Sequence, residues 1–301
     1  MRRAAYAQIN LSHLKYNLVS IRKIASHSKI MAVVKADAYG HGVLKVCQYL
    51  TDVDAFSVAC ISEALELRES GVVKPILALQ GFNTAKELQL AIRNKIQVVI
   101  HQNEQLKILQ STPNTNTLDV YVKLDTGMHR LGFEPLQFEK IIAVVNSLLP
   151  PKSKVRVMTH LACADEINNP FTQYQLDIFD QAMKGEGYSQ SIANSAGILA
   201  WPHSHRDWVR PGLILYGINP LSGDAGNTVQ VNLRPVMSLH APIISIKQCK
   251  KHERVGYGGE YRCPRDMVIG IVAAGYADGY PRHLLRAPKL SIHEKHVPIV
   301  G

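Results

Sequence analysis

Eight short runs rich in Val and Ile recur along the chain, beginning at Lys29, Ala55, Pro75, Gln97, Leu118, Lys154, Gln190 and Trp208. Their hydrophobicity is continuous rather than alternating, as in strands covered on both faces. The segments between them read as helices. Ser62 is placed to cap a helix that runs through Ala64, Leu65 and Arg68 and stops at Gly71. Thr84 with Glu87 has the form of a capping box, and Phe171, Tyr174, Ile178 and Ala182 share one helical stripe. Eight strand–helix units in about 220 residues have the size of a (β/α)8 TIM-type barrel. The α/β class is therefore expected over residues 1–230, with a doubly wound open sheet as the alternative architecture.

The texture changes after Gly217. Residues 219–226 are rich in Pro, Gly, Ser and Asp, which sets a boundary near residue 230. Beyond it, short apolar runs alternate with Gly and Pro turns, so residues 231–301 are expected to form a smaller all-β domain. Val297 to Gly301 read as a strand in progress, and the β domain is expected to be incomplete at its C-terminus.

At 46% hydrophobic and 19% charged residues, the composition is that of a folded globular protein. The longest uncharged apolar run, Val268 to Ala277, falls far short of the roughly 18 residues of a membrane helix. Gln8, Asn10, Ser12 and His13 interrupt any signal-peptide core, so a cytoplasmic location without membrane attachment is expected. Five cysteines without a C-x-x-C pair argue against a zinc site or a disulfide framework, and no metal is expected. The net charge is +10, yet the basic residues form no run or recognition helix. Anionic small molecules suit this charge better than nucleic acid.

Catalytic residues of such barrels sit where strands end at the C-terminal face. Lys35 closes the first apolar run and precedes Ala36-Asp37-Ala38-Tyr39-Gly40-His41-Gly42. A partly desolvated lysine there is readied as a nucleophile or base; snorkelling out of the mouth or pairing with Asp37 is the structural alternative. The fifth run ends near Lys123, Asp125 and Arg130, where Arg130 is either an anion partner or the mate of Asp125 in a loop ion pair. His160 ends the sixth run, as a catalyst or as a satisfied core residue. Asn194 and Ser195 end the seventh, Arg210, Gly212 and Leu213 the eighth, and phosphate sites after the last two strands are frequent in barrels. In the β domain, Tyr257 and Tyr276 stand in glycine-rich stretches that either present a phenol or form ordinary turns.

Over essentially its whole length the sequence resembles the alanine racemases that use pyridoxal 5'-phosphate (PLP). The most specific element is Val33-Val34-Lys35-Ala36-Asp37-Ala38-Tyr39-Gly40-His41-Gly42, which is similar to that family's cofactor-lysine motif. The resemblance implies PLP carried on Lys35, with Tyr39, Asn194, Ser195, Gly212 and Leu213 on the phosphate side and Arg210 at the pyridine nitrogen. It further implies Tyr257 of the partner subunit in a homodimer as a second catalytic base opposite Lys35, and His160 linking that tyrosine to Arg210. Arg130 would contact the cofactor's phenolic side and the substrate alanine, Tyr276 would line the substrate entrance, and Lys123 would be open to carbamylation. The family continues past position 301 into a substrate-binding stretch, so a PLP-binding but catalytically impaired homologue is one alternative. An amino-acid decarboxylase of the same fold is another, although it would be expected to set a carboxylate where Arg210 stands.

Overall fold

The computed structural model describes residues 5–112, 117–221, 231–281 and 289–300. The chain starts with β1 (Tyr6–Ile9) and α1 (Leu11–Ile24). Eight strands follow: β2 (Lys29–Val33), β3 (Ala55–Val58), β4 (Ile76–Ala78), β5 (Gln97–Ile100), β6 (Val120–Lys123), β7 (Val155–Met158), β8 (Ser189–Ser191) and β9 (Trp208–Val209). They pair in parallel in chain order, and β9 returns to β2 to close a barrel. All eight apolar runs are thus barrel strands, and the open sheet is ruled out. The helices are α2 (Lys35–Gly40), α3 (Val43–Tyr49), α4 (Ile61–Glu69), α5 (Ala85–Arg93), α6 (Asn103–Ser111), α7 (Phe138–Leu148), α8 (Phe171–Ala182) and α9 (Ser195–Ala200).

The barrel interior is filled rather than hollow, as its continuous apolar strands require. Met31, Ala55, Leu77, Val99, Tyr121, Met158 and Trp208 form one buried cluster drawn from β2 to β7 and β9. The Arg156 guanidinium lies 5.3 Å from the Tyr121 ring centroid and 5.9 Å from that of Trp208, and it pairs with Asp119 at 3.5 Å. These contacts let a charged strand residue lie against the aromatic rings of the packed interior.

Local signals explain the helix ends. Asn10 caps α1 by accepting from the Ser12 and His13 amides at 3.1 and 3.2 Å, and Leu14, Asn17, Leu18 and Ile21 form its buried face. Thr84 accepts from Glu87 N as expected, but the Glu87 carboxylate reaches back to Asn83 N, one residue before the cap. Two expectations need correction. Cys60, not Ser62, is the cap residue of α4, and Ser62 sits in the first turn with its hydroxyl 3.0 Å from Cys60 Sγ. The buried face of α8 is Thr172, Gln175, Leu176 and Phe179 rather than the Phe171–Tyr174–Ile178–Ala182 stripe. Gln175 turns that helix, because its side-chain amide bonds Ala162 N, Thr126 Oγ1 and His160 O inside the protein.

Residues Asn10–Val236 form one compact unit; the short β1 strand and the residues from Met237 onward form a second. The sequence boundaries of 1–230 and 231–301 differ because β1 pairs antiparallel with β10 (Met237–His240), and Tyr6 stacks on His240 at 5.1 Å. The turn-rich stretch that set the boundary near residue 230 lies largely outside the described residues. The second unit is all β, as expected: β11 (Ile243–Cys249), β12 (Arg254–Val255), β13 (Tyr261–Arg262), β14 (Met267–Val272), β15 (Lys289–Ile292) and β16 (Lys295–Pro298). β11 pairs with β14, β12 with β13 and β15 with β16, all antiparallel.

Asn17 ties α1 to the end of the barrel chain. Its Nδ2 donates to Leu215 O and Arg234 O, and its Oδ1 accepts from Arg234 N. Asn17→Leu keeps the bulk and strands these backbone groups, so urea unfolding should show a loss of about 2–3 kcal/mol.

Candidate active site

The C-terminal end of β2 leads into an unusual piece of backbone. Ala36, Asp37, Ala38 and Tyr39 all have φ between 52° and 55°, so the turn after Lys35 is left-handed although none of these residues is glycine. Left-handed backbone costs an L-residue roughly 1–2 kcal/mol. Side chains hold it in place: Glu63 accepts from Ala36 N (2.9 Å) with one carboxylate oxygen and from Ala59 N (2.7 Å) with the other. Asp37 accepts from Val43 N at 2.7 Å, so it clamps the end of the turn, and no ion pair joins it to Lys35 among the described residues. His41 Nδ1 lies 3.0 Å from Ala38 O and Tyr39 O, and its ring packs on Tyr216 at 4.5 Å. Lys35 itself is half-buried at the mouth.

Barrel closure sets the end of β9 beside this turn, with Val33 N donating to Pro211 O at 2.9 Å. Ser195 Oγ accepts from Gly212 N at 2.9 Å, which leaves its own O–H free to donate. A Cβ on Gly212 would stand 2.7 Å from Tyr39 Oη, so only glycine leaves room there for the phenol. Tyr39 packs on Tyr216, whose hydroxyl donates to Val33 O at 3.0 Å. Burial raises the pKa of both phenols, keeping them protonated donors. Ser195, Gly212 and Tyr39 thus form a cluster of neutral polar groups after β9. Leu213 opens the short turn Leu213–Tyr216 that follows Gly212, and Asn194 caps α9 by accepting from Gly197 N at 2.9 Å.

Across the mouth lies a buried cation. Arg210 is 3% exposed and donates from Nη1 to Ser191 Oγ (2.7 Å) and from Nη2 to Thr159 O (2.7 Å) and Ile192 O (3.0 Å). Among the described residues no carboxylate pairs with it. Burial lowers its pKa to about 10, so it stays charged at neutral pH. Its Nη2 also lies 3.3 Å from His160 Nδ1. A guanidinium only donates, so His160 Nδ1 must accept, and the neutral ring carries its proton on Nε2. Burial, then the charges of Arg210, Lys123, Arg130 and Lys35, hold the His160 pKa well below its ordinary value. His160 therefore feels four cationic side chains that end or follow three barrel strands, β2, β6 and β9.

Lys123 ends β6 and is 7% exposed, and no acceptor pairs with its Nζ among the described residues. Burial and then the charges of Arg210 and Arg130 lower its pKa to about 8. Arg130 is exposed, and the Asp125–Arg130 ion pair, one of its two expected roles, is absent among the described residues. Asp125 instead accepts from Gly127 N and His129 N, both at 3.0 Å, and pairs with the His129 ring at 3.3 Å. Burial opposes ionisation of Asp125, but these bonds outweigh it and lower its pKa.

In the second unit, Tyr257 tops the turn between β12 and β13 and is 88% exposed, and Tyr276 begins another short turn at 55% exposure. Gly256, Gly258 and Gly259 all have positive φ, which the tight turn around Tyr257 requires. Sequence reading missed Glu63, Ser191, Thr159 and Tyr216. Only Glu63 had an available signal, a lone acid in the first turn of the helix after a barrel strand.

Residues 9–220 match the family model "Alanine racemase, N-terminal domain", and residues 236–301 match "Alanine racemase, C-terminal domain". The chain belongs to the alanine racemase family. It is 44% identical to the alanine racemase of Edwardsiella ictaluri over 99% of its own length and 82% of that protein. Its fold is similar to the alanine racemase of Acinetobacter baumannii, with a TM-score of 0.90 and 35% identity, covering all of this chain and 84% of that one. The biosynthetic alanine racemase of Pseudomonas aeruginosa is similar with a TM-score of 0.86 and 39% identity, over 96% of this chain and 79% of that one. The protein is thus an isomerase. No helix among the described residues is long and apolar enough to cross a membrane.

The lowered basicity of Lys123 has a measurable cost in this racemase fold. An unfolded lysine keeps its proton until about 10.5, whereas the folded one releases it near 8, so protonation penalises the folded state below pH 8. Stability should climb from pH 8 to 10.5 by on the order of 3 kcal/mol. Denaturant unfolding at both ends of that window should show the climb, and Lys123→Met should remove it.

Proposed function

We propose that the chain interconverts L- and D-alanine with PLP, using Lys35 and Tyr257 of the partner subunit as bases on opposite faces. The observation that carries the reading is Arg210: a buried guanidinium with no carboxylate partner among the described residues, bonded to a neutral His160, at the barrel end that also holds Lys35. The residues suit the cofactor. Ser195, Gly212, Leu213 and Tyr39 offer neutral polar groups to a phosphate, with Asn194 fixing the helix start beside them. Lys35 offers an amine at the mouth. PLP, when bound, makes an amino acid's Cα proton acidic by drawing off the electrons left behind.

Inversion needs a proton removed from one face and another returned to the opposite one. Lys35 Nζ serves the face that handles the D-enantiomer, and the phenol of the partner subunit's Tyr257 serves the other. Arg210 would face the pyridine nitrogen and, as a group that only donates, would keep a proton off it, discouraging charge from spreading into the ring. That disfavours decarboxylation and transamination. His160 holds its proton on Nε2, directed away from Arg210, where it can bond the incoming phenol. Arg130 would meet the substrate carboxylate and the cofactor's phenolic oxygen. Lys123, neutral in part near pH 8, is open to carbon dioxide, and the resulting carbamate would orient Arg130. Tyr276 lines the way in. A homodimer supplies Tyr257, and the exposed Ile244, Ile246 and Val268 of the second unit give a second copy apolar surface to cover.

With L-alanine and PLP, the wild-type chain should generate D-alanine, followed by optical rotation. Borohydride reduction should fix the cofactor on Lys35 by mass. Lys35→Ala should abolish turnover, and Tyr257→Phe should lower it by roughly 10²–10⁴-fold. Failure to form D-alanine, or cofactor fixed elsewhere, overturns the reading.

A further inference from the structure

The second unit contains a pair of thiols that the racemase chemistry does not use. Cys249 ends β11 and is half-buried; Cys263 follows β13 and is fully buried. Both are free, and a turn closed by Glu253 N donating to Lys250 O at 3.1 Å carries the chain from Cys249 straight back to the backbone with which Cys263 pairs. Cys47, Cys60 and Cys163 are free as well, but Cys47 is buried in the barrel unit and Cys60 contacts Ser62 instead.

The position of the pair gives it a consequence. Between the two cysteines run β12, the turn bearing Tyr257, and β13. Cys263 N donates to Glu253 O at 2.9 Å and His252 N to Cys263 O at 2.8 Å, so Cys263 is locked into the base of this hairpin. Above that base the ladder has two paired positions, Arg254 with Arg262 and Val255 with Tyr261, before three positive-φ glycines flank Tyr257. The hairpin is short, and a covalent link at its foot would restrict it.

We propose that Cys249 and Cys263 are a peroxide-oxidisable dithiol whose disulfide closes the loop carrying Tyr257 and lowers turnover. Cys249, the more accessible sulfur, attacks a peroxide oxygen; the O–O bond breaks, water leaves, and a sulfenic acid forms on Cys249. The Cys263 sulfur then attacks Cys249, the S–S bond forms, and a second water leaves. Two thiols lose two electrons in all, and one hydrogen peroxide becomes two waters. Burial and the adjoining Cys249 raise the Cys263 pKa, which leaves the first, peroxide step to Cys249.

The link itself is independent of the function proposed above; its effect on turnover rests on that reading. PLP-loaded protein is treated with a small excess of hydrogen peroxide, blocked with N-ethylmaleimide and digested with trypsin. Cleavage after Lys247, Lys250, Arg262 and Arg265 should release Gln248-Cys249-Lys250 joined to Cys263-Pro264-Arg265. Racemisation should fall at least threefold, return with dithiothreitol, and resist peroxide in Cys263→Ser, whose Cys249 should be labelled by dimedone. Absence of the joined tripeptides overturns the dithiol, and joined tripeptides with unchanged turnover overturn the coupling to Tyr257. If the reduced protein never racemises alanine, the functional reading fails, while the peptide masses still decide the dithiol.

Discussion

The seam between β9 and β2 is the contact on which the site depends. Lys29 pairs with Trp208 and Ile30 with Val209, and Val33 N continues the register to Pro211 O. Those few bonds join parts of the chain some 180 residues apart. They set the turn that begins at Lys35 beside the chain segment of Arg210 and Gly212. An open sheet of the same strands would leave these groups on opposite edges.

Closure also concentrates charge. Lys35, Lys123, Arg130 and Arg210 all act on His160, and among the described residues no carboxylate pairs with Arg210. Such a mouth works against the fold, because like charges repel and Arg210 and Lys123 are buried. Carbonyls of Thr159 and Ile192 and the Ser191 hydroxyl answer Arg210 with dipoles rather than a counter-charge. The arrangement favours an anionic guest, which would neutralise what the protein leaves unbalanced.

Much of this was legible in the amino-acid order. The barrel strands announced themselves because burial on both faces leaves unbroken Val and Ile. That Lys35, Ser195, Arg210 and Gly212 stand just past strand ends followed from where the apolar runs stop. Features set by distant partners were not legible: the face of α8 depends on what Gln175 reaches across the interior, and Asp125 chooses His129 over Arg130 through loop backbone geometry. The start of α4 was displaced for a similar reason, since Glu63 reaches back to the end of β3 and across to the turn after Lys35. The membership of β1 in the second unit was invisible because its partner lies some 230 residues away.

The turn from Ala36 to Tyr39 sets handedness against chemistry. Alanine is the strongest right-handed helix former, yet two alanines here adopt the mirror conformation. Glycines would relax the segment but loosen the lysine that precedes it. A redesign that rewards each residue's intrinsic backbone preference would rewrite this segment first, and the gain in apparent foldability would be bought with the aim of Lys35.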